Sequence, residues 1–306
     1  MPPDPPPTIV VLGPTATGKS ALGLALAERL GGEIVNADAL QVYRGFDLGT
    51  AKPSSEERSR VRHHLLDVAE PEERFSAGEF ARRARAAIAE IALRGARPIV
   101  VGGSGLYLRA LLEGISPIPP GDREARRRLL RRLEEEGLPA LHEELGRSDP
   151  ATAARLPAAD TQRILRALEV VETTGTPLSE WIARRPYGEE RLAAVRVGLT
   201  LPRALLYDAI ARRVDCMVER GWVEEVERLL SRGLSPSAPA FQAIGYRQIA
   251  RHVAGEWSLE HALEETVRAT RRYAKRQMTW FRKEPDIHWL DAREVEREPG
   301  SVIRLC

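Results

Sequence analysis

Apolar residues run unbroken through Ile9-Val10-Val11-Leu12, then recur four apart at Leu22, Leu26 and Leu30. The first pattern predicts a buried strand and the second an amphipathic helix. Gly31-Gly32 reads as the helix stop, and Glu33-Ile34-Val35-Asn36 as a second strand. A third strand is expected at His64-Leu65-Leu66-Asp67-Val68. Ser76 with Glu79 has the spacing of a capping box, opening a helix with Phe80, Ala84, Ala87, Ile88 and Ile91 on one face. Gly95 ends that helix, and Ile99-Val100-Val101 follows as a buried strand. Strands alternating with helices at this spacing predict an α/β fold with a doubly wound parallel sheet.

The pattern changes at Ile115-Ser116-Pro117-Ile118-Pro119-Pro120-Gly121. From Asp122 to about Arg196 it is helical, with charged helices expected at Asp122–Glu136 and Asp160–Thr173. Strand character returns at Val195–Leu201. The reading is a core of residues 1–120 and 197–306 interrupted by a helical insertion, 121–196. Everything after the returning strand reads as helical. Ser258 caps a long helix with Leu259, Leu263, Val267, Thr270, Ala274, Met278 and Phe281 on its seam.

Charge refines this picture. The 306 residues carry 46 basic and 44 acidic side chains, so net charge points to no polyanionic partner. Distribution does. No acidic residue interrupts Arg268, Arg271, Arg272, Lys275, Arg276, Arg282 and Lys283, and Tyr273, Trp280 and Phe281 stand among them. Solvated helices interleave both signs, whereas a single-sign face with aromatic rings suits a phosphate backbone and stacked bases. A second cluster, Arg126-Arg127-Arg128 with Arg131-Arg132, is followed by Glu134-Glu135-Glu136 and is less specific. Two basic faces on separate modules suggest a clamp for nucleic acid. Cys216 and Cys306 form no disulfide framework, and the six histidines show no metal-ligand spacing with them. The proline-rich start, Met1 to Pro7, lacks an apolar signal core and no run spans a bilayer, so a soluble cytoplasmic setting is expected.

The chemistry-bearing stretch is Gly13-Pro14-Thr15-Ala16-Thr17-Gly18-Lys19-Ser20, lying between the first strand and first helix. That context makes it a P-loop: backbone N–H groups and a helix N-terminus cradle a di- or triphosphate. Lys19 supplies a point charge, and the Ser20 hydroxyl can ligate Mg²⁺. A second glycine loop, Gly102-Gly103-Ser104-Gly105-Leu106-Tyr107, follows another strand and belongs on the same rim. Asp38 follows the second strand, where ligands gather in open parallel sheets. Position alone leaves a solvated loop aspartate and a catalytic one equally open.

Beyond the P-loop, the chain carries Ala-Asp-Ala-Leu-Gln-Val-Tyr-Arg-Gly at 37–45, Gly-Thr-Ala-Lys-Pro at 49–53 and the second glycine loop at 102–107. It continues with Gln-Arg-Ile-Leu-Arg-Ala-Leu-Glu-Val at 162–170, Arg-Val-Asp-Cys-Met at 213–217 and Ala-Ile-Gly-Tyr-Arg-Gln at 243–248. Thr-Arg-Arg-Tyr-Ala-Lys-Arg-Gln-Met-Thr-Trp-Phe-Arg closes the set at 270–282. In this order the motifs resemble the tRNA dimethylallyltransferase family, the bacterial-type tRNA isopentenyltransferases. Ala39 stands where the family generally has serine, and Ser104 where it generally has threonine. The resemblance implies the bacterial-type form, without the zinc-finger extension of eukaryotic members.

What the resemblance implies is transfer of a dimethylallyl group from dimethylallyl diphosphate to N6 of the adenosine just 3′ of the anticodon. The tRNAs concerned read codons beginning with U. It makes Asp38, Ser104 and Arg213 catalytic, with residues 13–20 on the diphosphate and Mg²⁺ on Ser20. The same resemblance puts Asp38, Ala39, Leu40, Gln41 and Ser104 against tRNA. With them go Arg126, Gln162, Arg163, Ile164, Leu165 and Arg166 of the insertion, Gly245, Tyr246, Arg247 and Gln248, and Arg271, Arg272 and Arg276. Partners expected are the tRNA anticodon stem-loop and dimethylallyl diphosphate, with no membrane and a monomeric chain. An adenylate isopentenyltransferase, a small-molecule kinase and a non-catalytic RNA-binding protein are the alternatives; the basic faces, the remaining motifs and Asp38 with Arg213 speak against them in turn.

Overall fold

The structure, a computed structural model, describes residues 7–116, 118–184, 191–297 and 302. Most of the proline-rich start, Pro117 of the expected hinge, and Cys306 lie outside the described residues. The chain divides into two compact units, Met1–Leu112 with Leu192–Cys306, and Glu113–Arg191.

The first unit is built on one parallel sheet of six strands: β1 (Thr8–Leu12), β2 (Gly32–Asn36), β3 (His63–His64), β4 (Arg97–Gly102), β5 (Ala194–Thr200) and β6 (Ile287–Asp291). Their order is β3-β2-β4-β1-β5-β6. β1 is central, with Val10 opposite Val100 of β4 on one side and Arg196 of β5 on the other. All five β1 residues are buried, as a strand covered on both faces requires. Around the strands stand α1 (Lys19–Leu30), α2 (Ser55–Arg60), α3 (Ala77–Leu93), α4 (Gly105–Glu113) and the helices that follow the second unit. Leu22 and Leu26 of α1 join Ile9, Ile99, Val197 and Leu199 in the sheet core. Fully burying such a side chain contributes roughly 1.5–3 kcal/mol.

The second unit holds α5 (Arg123–Ser148), α6 (Pro150–Ala153), α7 (Thr161–Thr174) and α8 (Leu178–Arg184). Asp122 and Asp160 cap α5 and α7 through backbone N–H groups one turn on. The helix expected to end at Glu136 does break there, because Gly137 adopts φ 81° and ψ 162°. A further helical stretch with Pro139 in its first turn continues to Ser148. Leu129, Leu141, Leu145, Ile164, Leu165 and Leu168 form its core.

The remaining helices of the first unit are α9 (Arg203–Glu219), α10 (Trp222–Ser231), α11 (Tyr246–Val253), α12 (Leu259–Phe281) and α13 (Ala292–Arg297). Phe46, Trp222, Phe241 and Tyr246 make a second aromatic core, with Phe46 4.6 Å from the Tyr246 ring and 5.3 Å from Phe241. Three sequence expectations change. The third strand stops at His64, because Leu65 and Asp67 take φ of 61° and 56°, which breaks an extended run. The C-terminal region is not wholly helical: β6 pairs in parallel with β5, Val197 opposite His288. The most buried positions of α12 include Ala262, Thr266, Ala274, Gln277 and Phe281. Of the predicted seam Ala274 and Phe281 are among them, and Leu263 and Val267 pack partly buried against the aromatic core. Two polar side chains, Thr266 and Gln277, turn inward as well.

Candidate active site

The P-loop follows β1 as its sequence requires. Gly13 at φ 141° lies against Leu199 of β5, where an added Cβ would come within 2.5 Å of the Leu199 carbonyl oxygen. Ala16 and Gly18 also take positive φ, 64° and 81°, which curls the loop back onto the N-terminus of α1. Lys19 Nζ donates to Pro14 O at 2.6 Å, and Thr17 Oγ1 donates to the same carbonyl at 2.9 Å. Ser20 stands exposed in the first turn of α1.

Three elements enclose a cavity of about 390 Å³ above this loop. The end of β2 contributes Asp38 and Ala39, the loop after β4 contributes Ser104, and α9 contributes Arg213, all lining it with Thr15, Lys19 and Ser20. Arg213 Nη1 donates to Thr15 Oγ1 at 3.3 Å, which carries the second cation to the phosphate end. Enclosure of its ammonium, with Arg213 nearby, pushes Lys19 down to about 7, against the opposing pull of Asp38. Burial lowers Arg213 as well, again opposed by Asp38. A multiply charged anion would relieve both penalties.

Asp38 is held by its own turn. Its Oδ1 accepts from Leu40 N at 2.9 Å, and its backbone N–H donates to Asn36 Oδ1 at 3.2 Å. Ser104 Oγ accepts from Ala39 N at 3.0 Å, so the two sequence-predicted residues Ala39 and Ser104 are bonded to each other. Ser104 therefore orders the loop that presents Asp38. A Cβ on Gly102 would meet Ala37 O at 2.2 Å, so the two loops touch along their backbones.

Gln277, which the sequence did not single out, helps complete the wall. Gln277 Oε1 accepts from Thr15 N at 2.9 Å, while Gln277 Nε2 donates to Gly103 O at 2.8 Å. The Thr15 amide, expected to face a phosphate, is thus engaged by α12. Tyr273, one turn away, lines the same cavity, and burial drives its phenol well above the usual range. Only the long-range fold reveals Gln277, since an inward glutamine within a basic helix has no local signal.

The motif at 49–53 is tied into the fold through Lys52 and Gly49, while Gly49, Thr50 and Pro53 also line the cavity. Lys52 is buried, donating to Tyr43 O, Asp47 and Asp67 at 2.6–2.7 Å. Burial works against ionisation of Asp67, but hydrogen bonds from Lys52 and Arg58 win and hold its carboxyl low. Gly49 N donates to Tyr246 Oη at 3.1 Å, and Tyr246 in turn donates to Glu225. Gly245 caps α11 with φ 94°, its N–H donating to Gln248 Oε1 at 2.8 Å. Tyr246 and Gln248 are buried, whereas Arg247 is exposed.

Of the expected RNA-facing arginines on α12, Arg272 and Arg276 are exposed, Arg276 also bordering the cavity. Arg271 is half-buried with its guanidinium 4.9 Å from the Tyr207 ring centre. In the insertion, Gln162 and Arg163 are exposed, while Ile164 and Leu165 are fully buried core. Arg126 is 8% exposed and donates to Gln162 Oε1 at 2.7 Å, with Glu169 3.9 Å away. Arg166 donates to Pro119 O and stands 3.3 Å from Glu169. Arg126, Ile164 and Leu165 therefore shape the unit rather than present themselves at its surface. Among the described residues, no helix is long and apolar enough to cross a membrane, and no cluster of three His, Cys, Asp or Glu side chains could hold a metal.

The sequence model of the family described as IPP transferase matches residues 41–284. A tRNA dimethylallyltransferase of Syntrophobacter fumaroxidans is 48% identical over 97% of this chain and 87% of its own length. The crystal structure of the full-length tRNA isopentenylpyrophosphate transferase of Bacillus halodurans is 37% identical, covers 98% and 96% of the two chains, and superposes with a TM-score of 0.69. A eukaryotic dimethylallyltransferase captured acting on tRNA is 29% identical over 97% of this chain and 77% of that one, with a TM-score of 0.82.

Proposed function

The chain belongs to the IPP transferase family, and from that premise we propose how its cavity works. It transfers the dimethylallyl group of dimethylallyl diphosphate to N6 of the adenosine 3′-adjacent to the anticodon, in tRNAs reading codons that begin with U. The observation that carries this reading is that Lys19, Arg213, Asp38 and Ser104 line one cavity. Expelling diphosphate from an allylic carbon builds negative charge on the leaving oxygens. Lys19, Arg213 and the P-loop amides beyond Thr15 are aimed at that charge. The exocyclic amine is a poor nucleophile, its lone pair drawn into the ring. As its nitrogen bonds to the allylic carbon and the C–O bond breaks, Asp38 accepts the N6 proton. The base reaches Asp38 only by leaving its stack.

Ser20 offers a hard hydroxyl oxygen beside Lys19. Ser20 would hold a Mg²⁺ ion beside the bound diphosphate. Bound there, the ion would neutralise charge on the departing diphosphate. The tRNA contacts we assign are the cavity rim at Ala39, Leu40 and Gln41, the exposed Arg247, Arg272 and Arg276, and Gln162 with Arg163 on the insertion. The second unit, Glu113–Arg191, holds the anticodon arm. A monomer in the cytoplasm fits a tRNA substrate.

Incubating the protein with tRNA, Mg²⁺ and dimethylallyl diphosphate should add one prenyl group to that adenosine by mass spectrometry, and Lys19→Ala should abolish the gain. ATP turnover stimulated by tRNA, without the mass gain, would overturn the reading in favour of an NTPase.

A further inference from the structure

We infer that Gln277 is a positioning residue that sets the spacing between the donor and acceptor halves of the cavity, an inference that rests on the roles assigned above to the P-loop and Asp38. Its amide is 6% exposed and joins two loops that are far apart in sequence. The oxygen accepts from Thr15 N at 2.9 Å in the P-loop; the nitrogen donates to Gly103 O at 2.8 Å in the loop after β4. The next residue, Ser104, accepts from Ala39 N at 3.0 Å, and Asp38 directly precedes Ala39. Hydrogen bonds and the Gly103–Ser104 peptide link therefore connect the diphosphate loop, through Gln277, to Ala39, the residue beside the base.

The amide performs both halves of this bridge with separate acceptor and donor atoms. A carboxylate cannot donate to Gly103 O, and an ammonium cannot accept from Thr15 N. The seat is also closely fitted: a Cβ on Gly103 would fall 2.3 Å from Gln277 Nε2. Tyr273, one turn before Gln277 on α12, lines the same cavity. Prenyl transfer needs the allylic carbon and N6 in near contact. A misplacement of about 1 Å costs on the order of 10²-fold in rate, while either substrate still binds.

Gln277→Met keeps the volume and removes both hydrogen bonds. In single turnover with both substrates saturating, it should react about 10–100-fold more slowly than wild type. Half-saturating concentrations of dimethylallyl diphosphate and tRNA should stay within about threefold. Because Gln277 acts through Ser104, the double variant Gln277→Met/Ser104→Ala should be no more than about threefold slower than the slower single variant. A single-turnover rate within threefold of wild type overturns the inference; so does a loss that disappears at higher substrate, or losses that simply multiply. Should Gln277→Met fail to fold, Gln277→Glu carries the test. Its carboxylate can accept from Thr15 N but donates to Gly103 O only when protonated, so its rate relative to wild type should recover as pH falls. A pH-independent ratio overturns the inference. If wild type shows no prenyl transfer, the functional reading fails; if wild type transfers and Gln277→Met equals it, only the positioning role does.

Discussion

The cations of α12 and those of the insertion differ in how many are tied to carboxylates: in the insertion Arg127 and Arg131 have no ion pair among the described residues, but several neighbours do. Among the described residues, Arg272, Lys275, Arg276, Arg282 and Lys283 of α12 and its C-terminal edge pair with no carboxylate. Arg268 alone on that face is matched, to Glu265. In the insertion, Arg128 meets Glu172, Arg132 meets Glu136 and Glu144, Arg163 meets Asp160, and Arg166 lies beside Glu169. An arginine already bonded to a carboxylate must surrender that bond before it neutralises a phosphate. Phosphate-binding capacity therefore follows unpaired cations rather than the number of basic residues. The cavity extends the rule inward: Lys19 and Arg213 stand in a confined space with one carboxylate, Asp38, so both are poised for an added anion.

The largest effect should come from removing that one carboxylate. Asp38→Ala should slow single-turnover prenyl transfer roughly 10²–10⁴-fold, the range of a positioned acid–base group. Affinity for dimethylallyl diphosphate should hardly change, because no cation leaves the phosphate end. A rate within a few-fold of wild type, with both substrates saturating, would remove Asp38 from the role of base.

Next in size is the outer face of α12. Replacing Arg271, Arg272 and Arg276 by glutamine should flatten the dependence of log K on log salt for tRNA. Each phosphate left without its arginine lowers the slope by about 0.7–0.9. Arg271 will contribute least if its stacking on Tyr207 persists in the complex. An unchanged slope in the folded triple variant would mean that unpaired cations on α12 are merely solvated.

How far sequence reached follows the same division between local and long-range signals. The P-loop, β1, β2, β4 and β5, and the capped starts of α5, α7 and α12 rest on contiguous patterns, and the structure places them within a residue or two. Asp38, Ser104, Arg213 and Lys19 come from distant motifs, and they line one cavity. What failed depended on partners. β6 is five residues, Ile-His-Trp-Leu-Asp, with an exposed His288 and Trp289, and becomes a strand by pairing with β5. The third strand ended early because Asp67 turns to meet Lys52 and Arg58. Gln277 was hidden among arginines, its role set by loops 174 and 262 residues away. The insertion arginines had the right composition, and their carboxylates arrive from α7 and the far end of α5.

A smaller effect, near tenfold, concerns the confined lysine. With burial and Arg213 holding Lys19 near 7, its side chain should be mostly in the amine form at pH 8. The sign follows from linkage: a bound diphosphate favours the charged form, so binding raises the lysine pKa and draws a proton in. Calorimetry at pH 8 in buffers of different ionisation enthalpy should find uptake approaching one proton per inorganic diphosphate bound. Affinity should weaken by about tenfold per pH unit above 7 from this group. Lys19→Met should abolish that uptake. Uptake identical in wild type and variant would assign the proton to diphosphate itself.

The smallest effect is expected where paired arginines are removed. Arg128→Gln with Arg132→Gln deletes two guanidinium groups from the insertion, one fewer than the α12 triple variant. Both belong to ion pairs with Glu172, Glu136 and Glu144 that are partly exposed, and pairs of that kind contribute roughly 0–1 kcal/mol each to stability. The protein should stay folded. Removing the arginines also frees three glutamates, so a general loss of positive potential would weaken tRNA binding even without direct contact. Direct contact and general potential are separated by the salt slope, which counts released counterions. With the pairs intact in the complex, the slope should stay at the wild-type value and affinity within about twofold at 0.1 M salt. A slope lowered by about 0.7 or more per arginine would show that tRNA displaces the glutamates. The carboxylates would then act as a cover over a phosphate-binding face, and the contrast between the two helices would hold only for the free protein.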